Sequence, residues 1–185
     1  MTSATTYAHL TGTYTIDASH SRIGFVARHA MVTKVRGSFN EFDGAFTVDG
    51  EDPAKSSANI TIQTKSVDTR NADRDGHLRT NDFLAIDDFP TITFVSTAIA
   101  QTGEDTFDVT GDLTIKDVTK SVTVPFEFGG AAKDPFGNDR IGFEGSTSIN
   151  RSDYNVKFNA ALETGGVLVS DKITLEFEIS AVKNS

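Results

Sequence analysis

Apolar and polar residues alternate with a period of two through almost the whole chain, and this pattern limits it to β-structure. Residues 122–128 are typical, because Val122, Val124, Phe126 and Phe128 are separated by Thr, Pro and Glu. Roughly eight to ten segments of this kind follow one another with mostly short connections. Parallel strands need long crossovers, for which the chain has little room, so we predict an antiparallel all-β fold. The alternation is compatible with both a sandwich and a barrel.

The predicted interior is rich in phenylalanine and in small residues. The chain contains 14 Phe and no Trp, which suits a bulky β core and also the wall of a cavity for an apolar ligand. Small residues facing inward would leave space for such a ligand inside a barrel. They would equally suit the bulges and sharp bends of a curved sheet, and both interpretations stay open at this point. The small inward residues are Ala27, Gly37, Gly44, Ala58, Ser96, Gly111 and Gly145.

Residues 70–83, RNADRDGHLRTNDF, interrupt the alternation. The segment is dense in charges and includes His77, one of four histidines in the chain. A short helix here would turn Leu78 and Phe83 onto one face together with Leu84. If the strands close into a barrel, we predict that this segment covers one open end as a lid.

The same segment contains an approximate calcium-loop spacing. Asn71, Asp73, Asp75, Gly76 and Asp82 fall at positions 1, 3, 5, 6 and 12 of an EF-hand loop. However, the last position lacks the bidentate Glu, and the preceding residues are predicted to form a strand instead of an entering helix. We therefore favour a solvated, salt-bridged loop without a metal ion.

Charge and residue usage exclude several functions. The net charge of −9 and the pI of about 4.8 disfavour nucleic acid or an anionic membrane surface as a partner. The absence of cysteine excludes a disulfide, a zinc–thiolate site and a cysteine nucleophile. No apolar run approaches the roughly 20 residues of a membrane-spanning helix. The first residues lack a signal-peptide pattern, so we predict a cytoplasmic protein.

The chain length suits one domain with a proper core. Residues 1–12 are polar and are predicted to form a flexible N-terminus. Residues 13–185 are predicted to form a single β-domain.

His29 is the candidate polar residue of the interior, because it follows Ile23, Phe25 and Ala27 on one strand face. A buried imidazole needs a hydrogen-bond partner, either a neighbouring group or the headgroup of a ligand. The chain lacks the nucleophile-elbow, zincin, Walker and dinucleotide motifs, so we predict neither a catalytic residue nor a metal site. If the protein were an enzyme acting on an apolar substrate, His29 would be the candidate general base.

Several blocks of the sequence resemble the YceI-like family, and the resemblance extends from about Tyr14 to Val182. In two positions the chain departs from the family pattern, with Tyr14 in place of the frequent Trp and Asn155 in place of the usual Gly. The blocks that carry the resemblance are YTIDASHSRIGFVARHA, VRGSFNEFDGAF, SVDTRNADRDGHLRTNDFLAIDDFPTITFVST, VTGDLTIKDVTKSV and INRSDY.

The resemblance implies a lipocalin-like, up-and-down antiparallel barrel of about eight strands with a short helical segment near one end. It also implies that residues 13–185 bind a polyisoprenoid or another isoprenoid-chain amphiphile, such as a quinone, inside the barrel as a carrier, store or stress-related binding protein. No cofactor is expected apart from this lipid. Family members are commonly dimers, so we expect a homodimer.

The face pattern within this implied barrel selects the residues expected to contact the ligand. Apolar side chains would line the tail channel, whereas His29, Arg74 or His77 would meet the headgroup. The alternatives are an enzyme that uses the same pocket and an interaction module with a completely filled barrel. The predicted ligand-binding residues are Phe25, His29, Phe39, Phe46, Ala58, Ile60, Ile62, Arg74, His77, Phe83, Phe94, Phe126 and Phe143.

Overall fold

The computed structural model describes residues 7–163 and 165–185. The single α-helix of these residues, α1, spans Ala72–Leu78. The strands, numbered in chain order, are β1 Gly12–Ile16, β2 Arg22–His29, β3 Thr33–Phe39, β4 Phe42–Val48, β5 Ser57–Gln63, β6 Val67–Asp68, β7 Thr91–Gln101, β8 Thr106–Ile115, β9 Val118–Lys133, β10 Asp139–Asn150 and β11 Lys172–Lys183.

Eight strands close into an antiparallel barrel in the order β1-β4-β5-β7-β8-β9-β10-β11, and β11 pairs back to β1. The short β1 closes the ring because it pairs with β4 through Gly12–Thr15 and with β11 through Tyr14–Ile16. β2 and β3 form a long hairpin that extends beyond β1. β2 pairs with the first half of β11. The predicted antiparallel barrel of about eight strands is confirmed, and the sandwich is excluded.

The barrel has two ends, which differ in how they are covered. At the lower end lie residues 7–10 and the connections 49–56, 102–105 and 134–138. At the upper end lie the β2–β3 turn, residues 64–90, residues 151–163 and residues 165–171. The predicted helical segment near one end is therefore present, and it belongs to the upper end.

Three of the small inward residues make room for aromatic rings on neighbouring strands. A Cβ atom on Gly145 would lie 2.7 Å from Cδ1 of Phe126, its cross-strand partner. A Cβ atom on Gly37 would likewise meet the ring of Phe25, its cross-strand partner. A Cβ atom on Gly111 would meet the ring of Phe94 on the neighbouring β7, two positions from its own partner Ser96. Because the rings lie across these glycines, the space that the glycines release is occupied by protein.

The N-terminal segment was predicted to be flexible up to residue 12. Residues 1–6 of that segment lie outside the described residues, and the flexibility of residues 7–12 stays a prediction. Ala8–Leu10 form a 3₁₀ turn, and Tyr7 and Leu10 are buried under the lower end of the barrel. Residues 129–137 are rich in Gly and Ala, yet β9 continues to Lys133, so only a short turn connects it to β10. Pairing with β10 satisfies the backbone hydrogen-bonding groups of residues 130–133 despite the glycines.

The helix is shorter than the segment from which it was predicted. α1 begins after Asn71, whose side chain accepts a hydrogen bond from the Arg74 amide, and it ends at Leu78. Phe83 lies in the turns that follow and is buried there. Among the described residues, no helix is long and apolar enough to cross a membrane.

Candidate functional site

The interior of the barrel contains two apolar cavities, one above the other. The lower cavity has a volume of about 140 Å³ and the upper one of about 170 Å³. Ile141 borders the lower cavity and Ile149 the upper one, about 26 Å apart along β10. The two cavities share four wall residues, which are Ile60, Phe94, Val124 and Phe177. The two cavities therefore adjoin along the barrel.

In the lower half, the buried polar groups are paired within the protein. The hydroxyl of Tyr7, which borders the lower cavity, lies 2.5 Å from the Glu104 carbonyl oxygen and 2.6 Å from Asp105 Oδ1. Burial and the hydrogen bond to Asp105 raise the pKa of Tyr7 to about 12. The hydroxyl of Tyr14, just below the cavity, donates to the Leu10 carbonyl oxygen at 2.8 Å. These bonds fix residues 7–10 under the barrel.

The α1 segment forms part of the wall of the upper cavity. Leu78, Phe83 and Leu84 contribute apolar surface to that wall. The segment is held by the buried carboxylate of Asp75, which accepts hydrogen bonds from the amide and the hydroxyl of Thr69. A buried carboxylate with two donors fixes the orientation of the helix, so the segment lies where a lid was predicted.

A buried arginine holds the other side of the upper end. Arg151 is 7% exposed and borders the upper cavity. Its Nε donates to the Ser170 carbonyl oxygen at 2.8 Å, and Nη1 and Nη2 donate to those of Val156 at 2.8 Å and Val169 at 3.2 Å. Burial lowers the pKa of Arg151. The guanidinium group therefore links Val156 to Val169 and Ser170 across the upper end.

Tyr154 differs from the other tyrosines of the chain. Its side chain is 2% exposed and borders the upper cavity, yet its hydroxyl has no hydrogen-bond partner. Within the described residues, no other buried side-chain nitrogen or oxygen lacks a partner. Burial, and to a smaller extent the charge of Asp153, raises the pKa of Tyr154 to about 12, so the hydroxyl is protonated at neutral pH. The hydroxyl is therefore buried and unpaired next to the upper cavity.

Ten of the thirteen predicted ligand-binding residues border the cavities. Ile60 and Phe94 border both. The lower cavity also has Phe46, Ala58, Phe126 and Phe143 in its wall, and the upper cavity has Phe25, Phe39, Ile62 and Phe83. Except for Phe83, which was selected from the lid segment, these residues were selected by strand alternation.

The structure does not support the three predicted headgroup residues. The prediction of a buried His29 is wrong, because this residue is exposed at the end of β2, where the hairpin extends past the barrel rim. Arg74 is exposed and donates through Nε and Nη2 to Thr69. His77 is also exposed, with Nε2 2.8 Å from Asp82 Oδ2 and its ring against Phe83. None of the three borders either cavity.

The residues of the calcium-loop spacing have other roles. Asn71 caps α1, Asp75 binds Thr69, and Asp82 faces His77. Residues 72–78 form a helix, which an EF-hand loop does not. Over residues 7–163 and 165–185, no group of three or more His, Asp or Glu side chains is arranged to hold a metal ion.

Arg151 and Tyr154 are the functional candidates that sequence reasoning missed. Both lie in the INRSDY block, which contributed to the family resemblance but has no strand alternation to indicate that its side chains point inward. A 3₁₀ turn over Arg151–Tyr154 brings both of them to the cavity. Asn155 follows in the left-handed region with φ of 63°, which explains the usual glycine at this position.

Comparison with known sequences gives a consistent assignment. The family model described as the YceI-like domain matches residues 14–181. A UPF0312 protein of Staphylococcus aureus (strain MSSA476) is 40% identical over 169 residues, which cover 91% of this chain and 95% of the relative. The protein YceI of an Escherichia coli strain is 43% identical over 146 residues, covering 78% of this chain and 76% of the relative.

Solved structures with the same fold are also known. BcnA of Burkholderia cenocepacia superposes with a TM-score of 0.79 at 28% identity, covering 89% of this chain and 98% of BcnA. A polyisoprenoid binding domain from Saccharophagus degradans, implicated in plant cell wall breakdown, has a TM-score of 0.71 at 18% identity and covers 92% of this chain and 98% of that domain. At this identity the second likeness establishes the fold alone.

Proposed function

The chain belongs to the YceI-like family, and we propose that it binds a polyisoprenoid or another isoprenoid-chain amphiphile along the axis of its barrel. The observation that carries this proposal is the pair of adjoining apolar cavities that extends from Ile141 to Ile149. The wall is built from Phe, Ile, Leu and Val, with few polar side chains. A ligand for such a space is long, narrow and mostly apolar.

The expected energetics suit a chain of several isoprene units. Each CH₂ group that leaves water contributes about 0.8 kcal/mol to binding. An isoprenoid chain therefore gains affinity with every unit that enters, and the polar contacts serve mainly to set orientation and selectivity. The likeness in fold to a domain named for polyisoprenoid binding supports this ligand class. A quinone with an isoprenoid tail is the finer proposal within that class.

The alternatives are less well supported by the described residues. A completely filled barrel disagrees with the presence of two cavities. The enzyme hypothesis relied on His29 as a base in the pocket, and this residue lies outside both cavities. Binding, for transport or storage, is the function that the geometry favours.

Native mass spectrometry of protein purified without detergent, followed by organic extraction, tests the proposal. We expect a bound isoprenoid in stoichiometric amount, or its uptake when polyprenols and quinones are supplied. Ala58→Trp would fill the lower cavity and reduce uptake of long chains. The matched control is Asn59→Trp, one position along β5 on the outer face, which should bind like the wild type. Protein that is empty and takes up no isoprenoid would contradict the proposal.

The cytoplasmic location and the homodimer stay predictions from the sequence. Fractionation of cells that produce the protein tests the first. Light scattering after size-exclusion chromatography tests the second, with a mass of twice 19.9 kDa expected.

A further inference from the structure

The turn between β2 and β3 exposes apolar side chains at the end of the hairpin. Met31 is 59% exposed and Val32 is 74% exposed. The sulfur of Met31 lies against Gly166, and the next residue, Val167, is itself 41% exposed. Single exposed apolar residues are normal on soluble proteins, whereas neighbouring ones indicate a contact surface. We call Met31, Val32 and Val167 the apolar tip.

The backbone of the turn does not favour these residues. The Val32 amide donates to the His29 carbonyl oxygen at 3.1 Å and closes the turn. Ala30 and Met31 have φ of 51° and 67°, in the left-handed region where hairpin turns usually contain Asn or Gly. A methionine here therefore costs backbone energy and also exposes apolar surface to water. Strain of this kind is typical of positions that serve a function.

The outer face of the hairpin is basic. Arg28 and Lys34 lie opposite each other on β2 and β3, and Arg36 lies on the same face two positions further along β3. All three are exposed, and none forms an ion pair with a carboxylate of the described residues. Like charges directly opposite each other destabilise a sheet, so stability does not explain this cluster. Residues 22–37 contain four Arg or Lys and no Asp or Glu.

The net charge of −9, which by itself disfavours an anionic partner, does not describe this region. Residues 49–56 and 102–105 at the lower end contain five Asp or Glu and one Lys. About 26 Å of β10 separates Ile141 from Ile149, whereas physiological salt screens charges beyond about 8 Å. The acidic lower end therefore has little influence on the electrostatic potential at the hairpin.

Carboxylates at the upper end offset the basic face only in part. Glu163 is exposed in the turn before Val167. Asp171, in the same connection, accepts hydrogen bonds from the amide and the hydroxyl of Ser152. Residues 64–90, also at the upper end, contain six Asp and four Arg or Lys. The hairpin is therefore the part of the upper end that carries a net positive charge.

We propose that the β2–β3 hairpin docks the protein on an anionic lipid bilayer. The apolar tip enters the interfacial region, and Arg28, Lys34 and Arg36 face the phosphate groups of the anionic lipids. Exposed apolar side chains beside basic ones are the chemistry by which peripheral proteins bind such bilayers. Docking places the upper end of the barrel at the bilayer, because His29 pairs with Val169, which borders the upper cavity. The partner is the bilayer itself, so the inference goes beyond the proposed function.

Binding to vesicles tests the role of the charges. We expect the wild type to bind phosphatidylcholine vesicles that contain about 30% phosphatidylglycerol, and to bind pure phosphatidylcholine vesicles far more weakly. Arg28→Gln/Lys34→Gln/Arg36→Gln should bind the anionic vesicles about 100-fold more weakly, because each cation near such a surface contributes about fivefold. Lys55→Gln/Lys133→Gln, at the lower end, is the control and should bind like the wild type.

Substitution of the tip tests the apolar contact without disturbing the fold. Met31→Asn places a residue in the turn that tolerates the left-handed conformation, and Val32→Thr keeps the shape of the side chain. The double variant should therefore be at least as stable as the wild type, yet bind anionic vesicles about 10-fold more weakly. Phe136→Ser is the control, because Phe136 is 88% exposed in the β9–β10 turn at the lower end. It should leave vesicle binding unchanged.

Fluorescence locates the contact, because the chain contains no Trp. Emission of Val32→Trp should shift to shorter wavelength when anionic vesicles are added, whereas that of Phe136→Trp should not. Equal binding to neutral and anionic vesicles, unchanged binding by the charge or tip variants, or a shift for Phe136→Trp alone would overturn the inference. No vesicle binding by the wild type would overturn it in favour of an acidic protein surface as the partner. The vesicles contain no isoprenoid, so these outcomes are independent of the proposed function.

Discussion

The lower and upper halves of the barrel have similar apolar walls but differ in their buried polar groups. In the lower half, Tyr7 and Tyr14 are each bonded within the chain and secure the closed end. In the upper half, Arg151 binds backbone carbonyls and Tyr154 keeps a free hydroxyl. The polar groups of the lower half stabilise the fold, whereas the hydroxyl of Tyr154 in the upper half is unpaired and does not.

The largest predicted effect on stability concerns Arg151, which holds the upper half of the barrel. Arg151→Met should lower the free energy of unfolding by about 3 kcal/mol, because one buried and two partly buried carbonyl oxygens lose a charged donor. Urea denaturation followed by circular dichroism measures the change. Arg22→Met is the control, since Arg22 forms a half-exposed ion pair with Glu176 and should cost less than about 1 kcal/mol. Similar losses in the two variants would indicate that the upper end does not depend on Arg151.

The second prediction concerns the α1 side of the upper end. Asp75→Ala should lower stability by about 2 kcal/mol, because the amide and hydroxyl of Thr69 lose a buried acceptor. Hydrogen exchange should accelerate across residues 69–79, with β9 and β10 unaffected. Asp73→Ala, an exposed change on the same helix, should have only a small effect. Unchanged exchange in Asp75→Ala would show that another contact holds the segment.

Two tyrosines give the most direct comparison of the halves. Tyr14→Phe should lower the stability of ligand-free protein by about 1 kcal/mol, because it removes a satisfied buried hydrogen bond. Tyr154→Phe should leave stability unchanged or raise it, because it removes an unpaired buried hydroxyl. Thermal unfolding of both variants measures this. Equal destabilisation would mean that the hydroxyl of Tyr154 is bonded within the protein.

The smallest effect is expected at the surface of the lower half, around Arg140. Hydrogen bonds from Ser19 and Arg140 lower the pKa of Asp17, and those from Arg140 and Asn138 lower that of Asp134, both from 3.8. A lowered folded-state pKa stabilises the protein above the unfolded value and ceases to do so as the pH falls through the folded value.

Arg140→Met should therefore lower the unfolding midpoint slightly at pH 7, and its difference from wild type should shrink below pH 3.8. Lys133→Met serves as the control, because Lys133 pairs with Asp139 at an exposed site and should give a smaller difference. A difference that is constant from pH 7 to pH 2 would argue against these carboxylates as the cause.

Prediction from the sequence was most successful where side chains repeat with a regular period. Phe46 and Ile62 were placed correctly because a strand that faces an interior alternates, and the burial of one residue then fixes its neighbours. His29 continues the same alternation but was placed incorrectly, because the pattern does not indicate where β2 leaves the barrel. The inward glycines were ambiguous, since only the three-dimensional pairing shows that Phe126 lies across Gly145.

The sequence by itself determined the antiparallel all-β class, part of the cavity wall and the family, because these depend on local periodicity and on extended blocks of similarity. Only the tertiary structure decided how β1 closes the ring and which polar groups meet the cavities. Arg151 and Tyr154 belong to an irregular segment, where direction depends on contacts with residues far along the chain. Whether a buried hydroxyl has a partner is likewise a property of the assembled fold, and it is this property that distinguishes Tyr154 from Tyr7 and Tyr14.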